Sequence, residues 1–169
     1  EYNGNTINLI EESTSYNEIG SLNLAKACDL DGDGNIAVLG GGSSNTLLVW
    51  ESPNNIVNLD PPMSNYTWAF DIAEFDGNMT NGREILAGVY DGGIYLFHYS
   101  EENGFTNEGM VVPDISIHNN GLIITDSNND GELEMITASK TGLGVYTTDY
   151  NPLVVENRIS GTLQELVCQ

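Results

Sequence analysis

The sequence predicts an all-β fold assembled from a unit of four short antiparallel strands that recurs about three times. Three observations carry this expectation. Short runs of alternating apolar and polar side chains recur along the chain and read as half-buried strands. An acidic, glycine-containing loop of one layout follows the first strand of each unit. The residues at the ninth position of those loops, Ala37, Glu84 and Glu134, stand 47 and 50 residues apart. A period near 50 with four strands per unit is the pattern of β-propeller blades.

The clearest loop is 126–134, DSNNDGELE. Oxygen-bearing side chains fall at its first, third, fifth and ninth positions (Asp126, Asn128, Asp130 and Glu134). Gly131 stands sixth, where a sharp turn needs a residue without a Cβ, and Glu132 offers a backbone carbonyl at the seventh. That layout suits Ca²⁺, a hard cation that takes about six to eight oxygens. The loop at 29–35 repeats it with Asp29, Asp31, Asp33 and Asn35, and Gly34 at the sixth place. Its ninth position is Ala37, so one ligand is missing and the site is expected to be the weaker. The loop that begins at Glu74 has Asp76 and Asn78 at its third and fifth places, then two extra residues before Glu84.

Taken in order, 6–12 reads as a strand that precedes the first unit, and 13–21 as a polar connection. The first blade, 22–60, has strands at 22–30, 36–39, 46–51 and 56–59. Its glycine run, Gly40 to Gly42, has no following Lys and no helix to supply a phosphate site, so a hairpin turn is expected there. The second blade, 66–113, has strands at 66–75, 84–90, 93–99 and 110–112, with Asp91-Gly92 as a hairpin signal. The third, 121–157, has strands at 121–125, 135–138, 143–147 and 153–155. The tail, 161–169, resembles the strand before the first loop, with Cys168 where Cys28 stands. Trp50, Phe97 and Tyr146 recur on the third strand of each unit and read as a repeated core contact rather than as sugar platforms.

Composition narrows the function. Four Lys and Arg against 25 Asp and Glu give a formal charge of −21. Nucleic acid and anionic membrane surfaces are excluded as partners, because both are recognised first through a basic face. No apolar run approaches the roughly 20 residues that span a bilayer. The acidity calls instead for cations, which relieve self-repulsion. The chain begins at Glu1 with no visible signal segment, as expected of a processed or excised product. Sequons at Asn65 and Asn78 are candidate glycosylation sites, and at Asn78 that role competes with metal ligation. With the Ca²⁺ loops they favour an extracellular or cell-surface address. Cys28 and Cys168 lack the spacing of a zinc site, and form either a disulfide or two free thiols. His98 and His118 lie in different units with no nucleophile motif beside them, so no enzyme is expected.

The stretches CDLDGDGNIAVLGGG, AEFDGNMTNGREILAG and TDSNNDGELEMITAS together resemble the FG-GAP/VCBS repeat family, whose members build propellers like the integrin α-subunit head. The resemblance covers about 22–150 and implies an Asp-x-Asp-x-Asp-Gly loop that binds Ca²⁺ between the first two strands of each blade. Position by position it supports Asp29, Asp31 and Asp33, and Asp126, Asn128, Asp130 and Glu134, as ligands. Glu74, Asp76, Asn78 and Glu84 depart from the family pattern through the insertion.

Three blades with a flanking strand at each end leave two open sheet edges. The chain is then either a piece of a longer propeller or one completed by neighbours as a ring or filament. Two uses are open. One is a secreted structural or adhesive module that binds protein partners or itself. The other is a carbohydrate-binding propeller or the accessory domain of a polysaccharide-active enzyme, with glycans as ligands.

Overall fold

The computed structural model describes residues 22–42, 47–52, 55–58, 66–78, 82–90, 92–100 and 104–147. Eleven strands form three antiparallel sheets, none of them closed on itself. The first sheet runs in the order β1 (Leu22–Cys28), β2 (Ala37–Gly42), β3 (Leu47–Ser52), β4 (Asn55–Asn58). The second repeats this with β5 (Thr67–Ala73), β6 (Glu84–Val89), β7 (Gly93–Ser100) and β8 (Gly104–Val112). The third has β9 (Ile117–Thr125), β10 (Glu134–Ser139) and β11 (Gly142–Tyr146). The expected strands at 6–12, 153–155 and 161–169 lie outside the described residues, as do Asn65 and Cys168.

The three sheets share one register. The residue before each acidic loop pairs with the ninth-position residue that closes it: Cys28 with Ala37, Ala73 with Glu84, Thr125 with Glu134. One step further along, Val38 pairs with Trp50, Ile85 with Phe97 and Met135 with Tyr146. The recurring aromatics therefore hold the same register position in the three sheets. Phe97 is buried in the core, whereas Trp50 and Tyr146 are half-buried.

Two cores separate the sheets. Leu39, Leu47 and Val49 of the first sheet pack with Phe70, Ile85, Ala87 and Phe97 of the second. On the opposite face, Ala69, Leu86, Ile94 and Leu96 pack with Ile117, Leu122 and Met135 of the third. Strand β6 is covered on both sides, and its sequence, EILAGV, accordingly reads as a continuous buried run without alternation. The edge strand β5 approaches β1, β2 and β9. From it Asp71 reaches both neighbours: Oδ2 accepts the Ile124 amide at 2.9 Å, and Oδ1 meets the Lys26 ammonium.

The glycine run corrects the sequence reading. Gly40 to Gly42 lie within β2 and are buried, and the connection to β3 falls at 43–46, outside the described residues. A Cβ on Gly41 would stand 3.2 Å from two ring carbons of Phe70, so the glycine lets the second sheet approach the β2 backbone. Strand β8 is longer than the expected 110–112, and β9 begins at Ile117 rather than Gly121.

Candidate metal centre

Each acidic loop joins the first two strands of its sheet, and the three have a common backbone. The fourth position has positive φ in all of them: Gly32 (80°), Gly77 (72°) and Asn129 (62°). Glycine carries no penalty there, and Asn is among the side chains that tolerate this region. The sixth position is also left-handed at Gly34 (89°) and Gly131 (96°). These turns aim backbone amides inward at the first carboxylate. Asp29 Oδ1 and Oδ2 accept Gly32 N at 2.8 Å and Gly34 N at 3.1 Å. Asp126 Oδ1 and Oδ2 accept Asp130 N at 3.1 Å and Gly131 N at 3.0 Å. Glu74 Oε1, with one more methylene, accepts Asn78 N at 2.8 Å.

Later ligands repeat the arrangement. Asp31, Asp76 and Asn128, all third in their loops, accept the fifth-position amide at 3.3, 2.7 and 2.9 Å. Asp33 and Asp130 accept the seventh-position amides of Asn35 and Glu132 at 2.7 and 2.9 Å. The Asn35 amide and side chain hold the Asp33 carboxyl below its ordinary range.

The ninth position distinguishes the loops. Glu84 and Glu134 are both almost fully buried, at 2% and 3% exposure. Each accepts the amide of its loop's second residue, Phe75 N at 2.5 Å for Glu84 and Ser127 N at 2.8 Å for Glu134. The two-residue insertion thus leaves Glu84 in the place that its counterpart holds in the third sheet. Ala37 supplies no carboxylate in the first loop.

Three carboxylates converge within 4.8 Å in two places among the described residues: Asp29, Asp31 and Asp33, and Glu74, Asp76 and Glu84. The third loop forms no such trio. There Asn128 Nδ2 donates to Asp130 Oδ2 at 2.9 Å and to Glu134 Oε1 at 3.3 Å, placing amide hydrogens between the two carboxylates. Glu84 Oε1 and Glu74 Oε2 are buried without a hydrogen-bond partner, and His98 Nδ1 stands 3.4 Å from Glu84 Oε1, equally unsatisfied. Burial raises the Glu84 carboxyl above its ordinary value, Asp76 and Glu74 add to this, and the Phe75 amide opposes it.

A buried carboxylate oxygen left unpaired costs several kcal/mol. A cation among these three carboxylates removes that cost and the mutual repulsion together. The residues present therefore fit a bound cation, and the all-oxygen donor set is the chemistry of hard divalent ions. Sequence reasoning singled out the acids that converge in the first two loops and did not foresee Arg83 and His98, which touch the same loops. Arg83 had one signal, as one of four Lys and Arg in a chain of net charge −21, directly beside the insertion.

Comparison with known protein families, curated proteins and solved structures gave no match to this chain.

Proposed function

We propose that this chain is a Ca²⁺-binding structural repeat of the FG-GAP/VCBS kind, its three sheets serving as propeller blades braced by one ion per loop. The observation that carries the reading is Glu84, a buried carboxylate with one oxygen unpartnered at a convergence of three acids. The equivalent register of the three loops supports a repeated role for them, and the approach of β5 to β1 and β9 suits blades set around an axis. The module works outside the cell, in adhesion or self-association, where millimolar Ca²⁺ matches the weak affinities of such loops.

The carbohydrate-binding alternative needs open aromatic faces. Trp68 and Tyr90 instead lie on one another, with ring centroids 4.6 Å apart, and Lys140 Nζ stands 4.1 Å above the Tyr90 ring. These rings join the second sheet to the third, which favours the structural reading.

Thermal melts in Ca²⁺, in Mg²⁺ and in chelator test the proposal. At a free Ca²⁺ concentration about 100 times the dissociation constant, one site adds about 2.7 kcal/mol, or roughly 5–10 °C for a domain of this size. Mg²⁺, which demands a tighter octahedral shell, should do less. Identical melts in Ca²⁺ and chelator would sink the assignment.

A further inference from the structure

We infer that Arg83 couples the first two acidic loops, so that a cation in the loop at 29–35 strengthens cation binding in the loop at 74–84, and the reverse. The inference rests on the reading of these loops as cation sites and adds a dependence between them. Its basis is a pair of contacts across the first and second sheets. Arg83 N donates to Leu30 O at 2.7 Å, and Arg83 Nε donates to Asp29 O at 2.8 Å. Asp29 and Leu30 are the first and second residues of one loop, while Arg83 immediately precedes Glu84, which closes the other.

The contacts occupy a place left vacant by the sequence. In the second and third loops a ninth-position carboxylate pins the second residue through its amide. Ala37 has no such group, and in the first loop Arg83 pins the second residue, Leu30, through its carbonyl. Arg83 thus braces the neighbouring loop. The residue before it is closely fitted. Gly82 has φ +79°, and a Cβ there would fall 1.4 Å from Tyr99 O and 3.2 Å from Leu30 O. The Arg83 Nε bond goes to a carbonyl, so the carboxylates of Asp29, Asp31 and Asp33 remain available to an ion.

Ordering either loop around an ion therefore fixes the backbone that positions a ligand of the other, Asp29 on one side and Glu84 on the other. Such coupling is reciprocal by thermodynamic necessity and typically amounts to about 5–150-fold in affinity. Arg83 acts through Asp29 and Glu84 and is a positioning residue.

The test is a Ca²⁺ titration of the full chain followed by amide NMR, with Gly34, Gly77 and Gly131 reporting on the three loops separately. Asp31→Asn combined with Asp33→Asn disables the first loop. This should weaken binding at Gly77 about fivefold or more and leave Gly131 unchanged. Arg83→Met removes the guanidinium while retaining the amide bond to Leu30. In that background, where only the bond to Asp29 O is lost, disabling the first loop should alter the response at Gly77 less than it does in the wild type. Arg83→Lys, which keeps the charge but not the Nε–H, should behave as Arg83→Met. Equal affinity at Gly77 with the first loop intact or disabled overturns the coupling and leaves the metal reading standing. No Ca²⁺-dependent shift at any of the three glycines overturns both.

Discussion

Glu84 and Glu134 do the same work in adjacent sheets: each opens the second strand, pairs with the last residue of the first, and accepts the amide of the loop's second residue. They differ in what meets the other oxygen. Glu134 Oε1 has the Asn128 side-chain amide at 3.3 Å, while Glu84 Oε1 has no partner. Asn128 thus supplies Glu134 with an amide hydrogen in the third loop. In the second loop the third residue is Asp76, and the nearest group able to carry positive charge among the described residues is His98, whose Nδ1 stands 3.4 Å from Glu84 Oε1.

This difference gives a pH dependence with a definite sign. Burial, and after it Asp76 and Glu74, hold the Glu84 carboxyl above its ordinary 4.5. A carboxyl whose folded value exceeds its unfolded one binds its proton more tightly in the folded state. Its contribution to stability is complete below the unfolded value, near 4.5, and is lost as pH rises through the folded value. In chelator, wild type should therefore lose stability relative to Glu84→Gln as pH rises from 4.5 to 7. With saturating Ca²⁺ at pH 7 the order should reverse, because the variant lacks a charged ligand. Urea midpoints for the two proteins across that range decide it. A difference that stays constant with pH in chelator would remove the unpaired carboxylate from the account.

The glycines separate conformational from steric demand. Gly34 has φ +89° with open space where a Cβ would stand, so Gly34→Ala should cost only the left-handed backbone term of about 1–2 kcal/mol. Gly82 has a similar φ, but its Cβ would overlap the Tyr99 carbonyl. Gly82→Ala should therefore cost at least about 1–3 kcal/mol more. Denaturant unfolding of the two variants in Ca²⁺ measures the gap, and equal losses would refute the wedge at Gly82.

Local patterns were legible in the sequence, and approaches between sheets were not. Ligand spacing, alternation and the recurring Trp50, Phe97 and Tyr146 depend on neighbours along one hairpin, and the strand order of the first two sheets follows from them. Gly40 to Gly42 looked like a turn because their reason for being small, the Phe70 ring, lies on another sheet. Strand β8 was shortened in the reading because it is irregular. Its register against β7 shifts twice, and Gly109, at φ 98°, donates its amide to Asn107 Oδ1 at 2.8 Å. Such bulges break the period of two on which strand recognition depends. The place of Arg83 was not legible because the sequence does not reveal that its amide reaches Leu30 on another sheet's loop.

The attachments of the second sheet to the first and to the third can be compared at Asp71. Its carboxylate serves an amide of β9 with one oxygen and the Lys26 ammonium of β1 with the other. The two bonds differ in surroundings: the Ile124 amide is part-buried, whereas the Lys26 side chain is 42% exposed. An exposed ion pair contributes at most about 1 kcal/mol, while a buried amide without an acceptor costs about 1–3 kcal/mol. Lys26→Met should therefore lower stability by less than about 1 kcal/mol and Asp71→Ala by about 2 kcal/mol or more. Asp71→Asn, which keeps one carbonyl oxygen for Ile124, should fall between them. Hydrogen exchange adds a local readout, because the Ile124 amide should lose protection in Asp71→Ala and retain it in Lys26→Met. Equal losses of stability and of protection in both variants would mean that the Lys26 ion pair holds the Asp71 carboxylate in place for Ile124, so that the two bonds do not act independently.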